Sequence, residues 1–259
     1  MSALLEQMLA LGCRSFKKSS KMEQGSVDAC RFITAWPMMG CGLVMLCARR
    51  KRKSKNMLLE LESSQLVLID YQSRLMPAML ESDAVLQNAV RLAEMAAVMN
   101  VPAFYTEQNP SKLGETSPAL LQALKAARAR PLAKMQFSAV EEGLGDMLRP
   151  PPKPVQGNAR SLPKHLQKAS AGEERDTIVL AGCEAHVCLL QTALDLLEDE
   201  FDVWVVTDAC SSRTERNRDA AFDRLAGAGV ELVTTEMVAF EWLRSAEHPA
   251  FKQVHGLIK

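Results

Sequence analysis

A thiol that follows an apolar strand at the start of a helix is the first feature of this chain that suggests catalysis. Cys188 ends the stretch Gly182-Cys-Glu-Ala-His-Val-Cys188, which lies between the apolar run 177–181 and an apolar helix-forming segment. Unpaired backbone N–H groups and the helix dipole favour an anion in a first helical turn. We therefore expect Cys188 to be a nucleophile whose pKa lies below that of a free cysteine.

A carboxylate and a lysine occupy settings that suit a partnership with this thiol. Asp70 directly follows the apolar run 65–69, where it is either a capping residue or a functional base. Lys134 lies in Pro131-Leu-Ala-Lys-Met-Gln-Phe-Ser138, which is unusually apolar for a lysine. Together they predict a hydrolase in which Asp70 is the general base and acid, Lys134 the charge partner and Cys188 the nucleophile. Backbone N–H groups of the 182–188 turn could hold the tetrahedral oxyanion.

The elements that must position these residues alternate between strand and helix. Apolar runs predict strands at 65–69, 101–105, 177–181, 203–207 and 230–233. Helices are predicted over 84–99, 118–128, 186–198, 214–227 and 237–245. This alternation is typical of an α/β fold, with a doubly wound, mostly parallel sheet flanked by helices. Ligands of such sheets bind at the carboxyl ends of the strands, where Asp70 and Cys188 are expected.

Other side chains near the same predicted edge are candidate substrate contacts. The candidates for the pocket are Gln72, Glu107, Gln108, Phe137 and His186. Phe137 and Tyr71 could equally belong to the core, with a pocket role favoured for Phe137. His186 could simply be a helix-start histidine. Asp208 follows the run 203–207 and is expected to anchor a loop through backbone hydrogen bonds.

The charge of the chain divides it into two parts. The 259 residues carry 31 basic and 31 acidic side chains, but residues 1–56 hold 11 of the basic ones and only 3 of the acidic ones. The remaining 20 basic and 28 acidic side chains give 57–259 a net charge of −8, which argues against a nucleic-acid partner. The seven cysteines form no CxxC pair, and the four histidines have no metal-binding spacing. We therefore expect a reducing compartment, no metal and no cofactor.

The basic N-terminal extension, residues 1–56, allows three interpretations. The apolar stretch 32–48, followed by the basic cluster 49–53, could tether the protein to a membrane with its body in the cytoplasm. Residues 4–21 could be a targeting sequence, for example mitochondrial. Alternatively, the domain begins at Met57 and the extension reflects a misassigned start. We expect a cytoplasmic hydrolase domain over 57–259, with a mobile insertion loop over 148–174 that is rich in proline at its start.

Four motifs, taken in order, resemble the isochorismatase-like cysteine hydrolase superfamily, which includes nicotinamidases and N-carbamoylsarcosine amidohydrolases. They are Leu68-Ile-Asp-Tyr-Gln72, Thr106-Glu-Gln-Asn-Pro110, Lys134-Met-Gln-Phe-Ser138 and Gly182-Cys-Glu-Ala-His-Val-Cys188. The similarity covers about 58–259. Residues 205–213 and the end of the chain, 248–259, are most similar to the isochorismatase domain-containing proteins.

The resemblance implies an Asp70–Lys134–Cys188 triad and a non-proline cis peptide bond between Cys183 and Glu184. It also implies an oxyanion hole made by the amides of Glu184 and Cys188, a small-molecule substrate and a homo-oligomer. The Asp-x-His-x-x-His metal motif of nicotinamidases has no counterpart here. A retained nucleophile favours a small amide or related C–N substrate. The alternatives are an enol-ether hydrolase of the isochorismatase type, or a catalytically idle binding or scaffold protein.

Overall fold

The computed structural model describes residues 57–150 and 175–259. The predicted extension over 1–56 and the greater part of the predicted loop, 151–174, lie outside the described residues. The predicted start of that loop at 148 is wrong, because Leu148 is a buried residue at the end of a helix. Its apolar side chain belongs to the core and not to a surface loop.

Six parallel strands form one sheet. They are β1 (Ser64–Ile69), β2 (Ala103–Gln108), β3 (Arg130–Lys134), β4 (Thr177–Gly182), β5 (Asp202–Val206) and β6 (Glu231–Val233). Their order is β3-β2-β1-β4-β5-β6, and every neighbouring pair is parallel. This confirms the predicted doubly wound α/β fold. The strand order reverses between β1 and β4, so their carboxyl ends flank the crevice where such sheets bind ligands.

Eight α-helices connect and flank the strands within the described ranges. They are α1 (Ser82–Met99), α2 (Pro110–Leu113), α3 (Pro118–Ala126), α4 (Leu144–Leu148), α5 (Leu190–Glu198), α6 (Glu215–Ala228), α7 (Thr235–Leu243) and α8 (Phe251–Ile258). A π-helical turn, Ala185–Leu189, leads directly into α5. No helix of 57–150 or 175–259 has both the length and the apolar character needed to cross a bilayer.

The centre of the sheet is fully buried, whereas the β3 edge is not. Every residue of β1 and β4 is buried, as expected for central strands covered on both faces. In β3, Lys134 is the one buried residue. The sequence did not predict β3, because Pro131 and the exposed charge of Arg130 are typical of an edge strand and obscure the apolar pattern. β2 begins after Pro102, two residues later than predicted, so Glu107 and Gln108 are its last residues.

Candidate active site

The fold brings Asp70, Lys134 and Cys188 together at the carboxyl edge of the sheet. Asp70 directly follows β1, Lys134 ends β3, and Cys188 lies in the π-helical turn after β4. The Nζ atom of Lys134 is 2.8 Å from Oδ2 of Asp70, and both side chains are completely buried. Cys188 is 6% exposed and feels the charges of both residues. Two opposite charges and a thiol therefore share one site that is almost closed to water.

The two carboxylate oxygens of Asp70 have different surroundings. Oδ1 accepts a hydrogen bond of 2.6 Å from Oγ1 of Thr106, which lies on β2. Among the residues that the structure describes, none donates a well-aligned hydrogen bond to Oδ2, although the Lys134 ammonium lies close to it. Oδ2 is therefore the oxygen with the capacity to accept a proton. The backbone of Asp70 has a φ of 55°, a left-handed conformation that aspartate tolerates better than most residues.

The ammonium of Lys134 is surrounded by protein oxygen atoms. Nζ donates to Oε1 of Gln108 at 2.6 Å and to the carbonyl of Phe137 at 3.1 Å, with the carbonyl of Gln136 at 3.4 Å. The amide of Gln108 is oriented by its second group, because Nε2 donates to the Met135 carbonyl at 2.7 Å. A buried charge is tolerated only when it is paired and hydrogen-bonded, and Lys134 meets both conditions.

The thiol of Cys188 is protonated at neutral pH in this arrangement. Burial, followed by the nearby Asp70 carboxylate, raises the pKa of Cys188 to about 12, against the opposing effect of the Lys134 ammonium. The sequence-based expectation of a lowered pKa is therefore wrong. A helix start and a lysine favour a thiolate, but here desolvation and the carboxylate outweigh them. This nucleophile needs a base, and Asp70 is the carboxylate beside it.

A close approach of two strands fixes the turn that carries Cys188. The peptide bond between Cys183 and Glu184 is cis, as the resemblance predicted. The Cys183 amide donates to the Ile69 carbonyl at 2.9 Å, which ties the end of β4 to the end of β1. A Cβ atom on Gly182 would lie 2.5 Å from both Cβ and the carbonyl oxygen of Ile69. Glycine is thus the residue that lets the two strands meet beside Asp70.

A polar network lies beside the same turn. Oε2 of Glu184 is 2.8 Å from Nε of Arg213 and 3.8 Å from Nε2 of His186. Nδ1 of His186 is 3.0 Å from Oγ of Ser212, and Nε2 is 3.3 Å from Nδ2 of Asn217. His186 therefore lies next to the cis peptide with both ring nitrogens engaged. Arg213 was not predicted as a site residue, although its position at the end of a polar run after β5 was a usable signal.

The predicted pocket residues fall into two groups. Gln108 contacts Lys134 and lies 4.0 Å from Sγ of Cys188, so it belongs to the site. The Phe137 carbonyl accepts from Lys134, and the residue is 53% exposed beside a hollow of about 340 Å³ that Gln136 and Ser138 also line.

Gln72 and Glu107 brace loops through hydrogen bonds within the protein. Gln72 is fully buried, and its amide exchanges hydrogen bonds with the backbone of Gln108 and donates to the Gly114 carbonyl. Oε1 of Glu107 accepts from the backbone and the hydroxyl of Thr116, both at 2.8 Å. Because groups of the protein itself engage these atoms, a substrate contact by either residue stays a prediction.

Three further residues with uncertain roles are structural. Tyr71 is buried and its hydroxyl donates to the Ala209 carbonyl, so it belongs to the core. Cys183 is completely buried among apolar residues, with Sγ 3.8 Å from Sδ of Met76. Asp208 anchors α7 as expected, since Oδ1 accepts from the backbone amide and hydroxyl of Thr235 at 2.8 and 3.0 Å. Within 57–150 and 175–259, no three His, Cys, Asp or Glu side chains converge as a metal site would require.

Comparisons with known proteins agree with this architecture. Residues 64–237 match the family model of the isochorismatase domain. The rat isochorismatase domain-containing protein 2 is 34% identical over 198 residues, which cover 76% of this chain and 82% of the rat protein. The solved structure of the MAR1 ribonuclease from Caenorhabditis elegans is similar with a TM-score of 0.66 and 30% identity, covering 78% of this chain and 92% of that one.

A second solved structure shares the fold at lower identity. The Escherichia coli YcaC gene product, described as an octameric hydrolase of unknown specificity, has a TM-score of 0.61 and 23% identity. The match covers 80% of this chain and 97% of the bacterial one. At this identity the likeness bears on the fold alone. The family model and the rat relative span most of the chain, and the chain therefore belongs to the isochorismatase family.

Proposed function

We propose that this protein is a metal-independent cysteine hydrolase that cleaves a small amide or a related C–N bond through a thioester intermediate. One observation carries the proposal. A buried Asp70–Lys134 ion pair, 2.8 Å between Oδ2 and Nζ, lies against a thiol that burial and the carboxylate keep protonated. A protonated nucleophile next to a carboxylate with an available oxygen is the arrangement that general-base activation requires.

The reaction proceeds in two halves. Oδ2 of Asp70 takes the thiol proton as Sγ of Cys188 bonds to the substrate carbonyl, and the amides of Glu184 and Cys188 bind the oxyanion. Asp70 returns the proton to the leaving nitrogen, the C–N bond breaks, and a thioester remains. Asp70 then deprotonates a water that attacks the thioester, and the acid leaves as the thiol regains its proton. Lys134 keeps its charge throughout and offsets the negative charge that moves between Asp70 and Cys188.

The energetics of the thiol favour a coupled first step. With its pKa raised to about 12, Cys188 is a thiolate in only about one molecule in 10⁴ at pH 8. Proton transfer to Asp70 during the attack avoids that rare free thiolate. The rate should therefore depend on the charge of Asp70 more than on the thiolate fraction of the resting protein.

The first alternative is enol-ether cleavage, which proceeds by protonation of the substrate and needs no sulfur nucleophile. It predicts that a Cys188→Ala variant stays active and that an Asp70→Asn variant does not. Amide cleavage requires both residues. The second alternative, an idle oligomeric binding or scaffold protein, predicts no turnover by any variant.

A third alternative comes from the nematode neighbour, which is described as a ribonuclease. The net charge of −8 over residues 57–259 opposes binding of a polyanion, because phosphate contacts by lysine and arginine supply most of such affinity. RNA degradation by the purified protein that is lost in Cys188→Ala would favour this activity over amide hydrolysis. Degradation that persists in that variant would indicate a contaminating nuclease.

The deciding experiment is a screen for ammonia or amine release from small amides and ureides by the full-length protein. We expect Cys188→Ala and Asp70→Asn to lower the rate by at least about 10³-fold and 10²-fold. Cys210→Ala is the matched control, since Cys210 is an equally buried cysteine without a carboxylate–lysine pair beside it. Turnover that survives in Cys188→Ala would overturn the thioester route.

Two wider inferences accompany this function. A homo-oligomer, which the family resemblance implies, stays a prediction that light scattering of the purified protein can test. A cytoplasmic location, with mitochondrial targeting or membrane tethering through residues 1–56 as alternatives, stays a prediction that fractionation of cells can test.

A further inference from the structure

The segment Met135–Ala139, here called the lysine loop, wraps around the Lys134 ammonium. It supplies the carbonyls of Gln136 and Phe137, which lie 3.4 and 3.1 Å from Nζ. Its Met135 carbonyl also accepts from Nε2 of Gln108, which turns Oε1 of that amide toward Nζ. Among the described residues, the oxygen partners of Lys134 other than Asp70 therefore depend directly or indirectly on where this loop lies.

A single carboxylate holds the start of the lysine loop from outside the site. Oε1 of Glu142 accepts hydrogen bonds from the backbone amides of Met135 and Gln136, both at 3.0 Å. These bonds, with the Met135 bond the stronger influence, lower the pKa of Glu142, so the anion is the bonded form. The Gln136 amide and the Met135 carbonyl belong to one peptide group, so the bond to Glu142 fixes the orientation of the carbonyl that contacts Gln108.

The helix that follows the nucleophile holds the other end of the lysine loop. Oγ of Ser138 donates to Oδ2 of Asp195 at 2.5 Å, and the Ala139 amide donates to Oγ1 of Thr192 at 3.0 Å. Both acceptors lie on α5, which begins two residues after Cys188. With this end fixed to α5, Glu142 is the group that controls the end of the loop nearest Lys134.

We propose that Glu142 is a positioning residue of the triad, which aims the ammonium of Lys134 by holding the lysine loop. The inference rests on the proposed function, because it assigns Lys134 the task of offsetting charge at Cys188. Glu142 touches neither the substrate nor the reacting atoms and acts through Met135, Gln136 and Gln108. No motif in the sequence marks it, since Glu141 and Glu142 are adjacent and look equivalent.

Loss of the Glu142 carboxylate frees the amides of Met135 and Gln136 to turn toward water. Their peptide groups then rotate, the Met135 carbonyl releases Gln108, and the ammonium loses its fixed place beside the thiol. Because Lys134 lowers the pKa of Cys188, its displacement makes a thiolate rarer and slows alkylation. A glutamine at position 142 keeps an oxygen of the same reach and can still accept both bonds.

The test measures the rate at which iodoacetamide alkylates Cys188 in the full-length protein at pH 9, read by mass spectrometry of the Cys188 peptide. We expect Glu142→Ala to slow alkylation about threefold to tenfold, in the same direction as Lys134→Met. Glu142→Gln should stay within about twofold of the parent, and so should Glu141→Ala, whose exposed carboxylate is the matched control. With an amide substrate, kcat should fall about 10- to 100-fold in Glu142→Ala while KM changes little.

The outcomes separate this inference from the proposed function. If Lys134→Met slows alkylation but Glu142→Ala does not, the positioning role is wrong and the triad stands. If Lys134→Met leaves the alkylation rate unchanged, both the positioning role of Glu142 and the assignment of Lys134 to the triad are wrong. Faster alkylation in Glu142→Ala would mean that the variant merely opens the site, and a Glu142→Gln variant as impaired as Glu142→Ala would also contradict the role. Melting temperatures identify any variant that slows only through misfolding.

Discussion

Replacing Asp70 with asparagine should make Cys188 more reactive toward an alkylating agent while abolishing hydrolysis. The substitution removes the charge and keeps the shape, including an oxygen that can accept from Oγ1 of Thr106. The carboxylate is the leading electrostatic reason for the raised pKa of Cys188, and the Lys134 ammonium opposes it. In Asp70→Asn the ammonium acts alone, so the pKa of the thiol falls.

The expected acceleration follows from two opposing effects. Removal of a neighbouring like charge lowers a pKa by about 1 to 3 units. Each unit raises the thiolate fraction about tenfold at a pH below the pKa, while the intrinsic nucleophilicity of the thiolate falls about threefold. From a starting pKa of about 12, alkylation at pH 8 should therefore become about 3- to 40-fold faster.

The assay follows carbamidomethylation of the Cys188 peptide between pH 6 and 9, in parallel with amide turnover. Thr106→Val is the matched control, because it removes the hydrogen bond to Oδ1 but leaves the charge, and its alkylation rate should change little. Slower or unchanged alkylation in Asp70→Asn would refute the charge assignment. Retained hydrolysis in that variant would refute its role as the base.

Three other predictions concern the scaffold. Gly182→Ala should lower the free energy of unfolding by about 1–3 kcal/mol or more and displace the turn of Cys188, because the new Cβ would meet Ile69 at 2.5 Å. Urea unfolding should show this loss for Gly182→Ala but not for Gly227→Ala, whose new methyl group has open space. Burial raises the pKa of Cys210 to about 12, so the folded chain keeps a proton that the unfolded chain loses near pH 9. The contribution of Cys210 to the free energy of unfolding should be fully present below pH 9, and up to about 4 kcal/mol of it should be lost toward pH 12. The melting temperature of a Cys210→Ala variant should therefore fall less steeply over this pH range. Finally, a chain that begins at Met57 should fold alone and match the full chain in melting temperature, and aggregation would contradict a separate domain.

The central parts of the fold could be predicted because their residues repeat a simple pattern. β1 and β4 are buried on both faces, so an unbroken apolar run identified each of them. β3 escaped prediction because an edge strand tolerates Pro131 and exposed side chains. At such an edge, the residues on either side of Lys134 in the sequence do not reveal that its side chain is buried.

The candidate site was predicted in its composition but not in its electrostatics. Polar residues at strand ends indicated which groups meet, and the structure does bring Asp70, Lys134 and Cys188 together. The raised pKa of Cys188 depends on depth of burial, which the local sequence does not encode. Gln72 and Gln108 both follow or end strands, yet the first binds backbone and the second binds Lys134, because the path of the chain decides where each side chain points.

The most direct test of the proposed mechanism is the mass of the Cys188 peptide after acid quenching during turnover of an active amide. We expect an adduct equal to the acyl portion of the substrate, present only on Cys188 and lost when the substrate is exhausted. Product formation without any acyl adduct, at a rate that Cys188→Ala preserves, would contradict it.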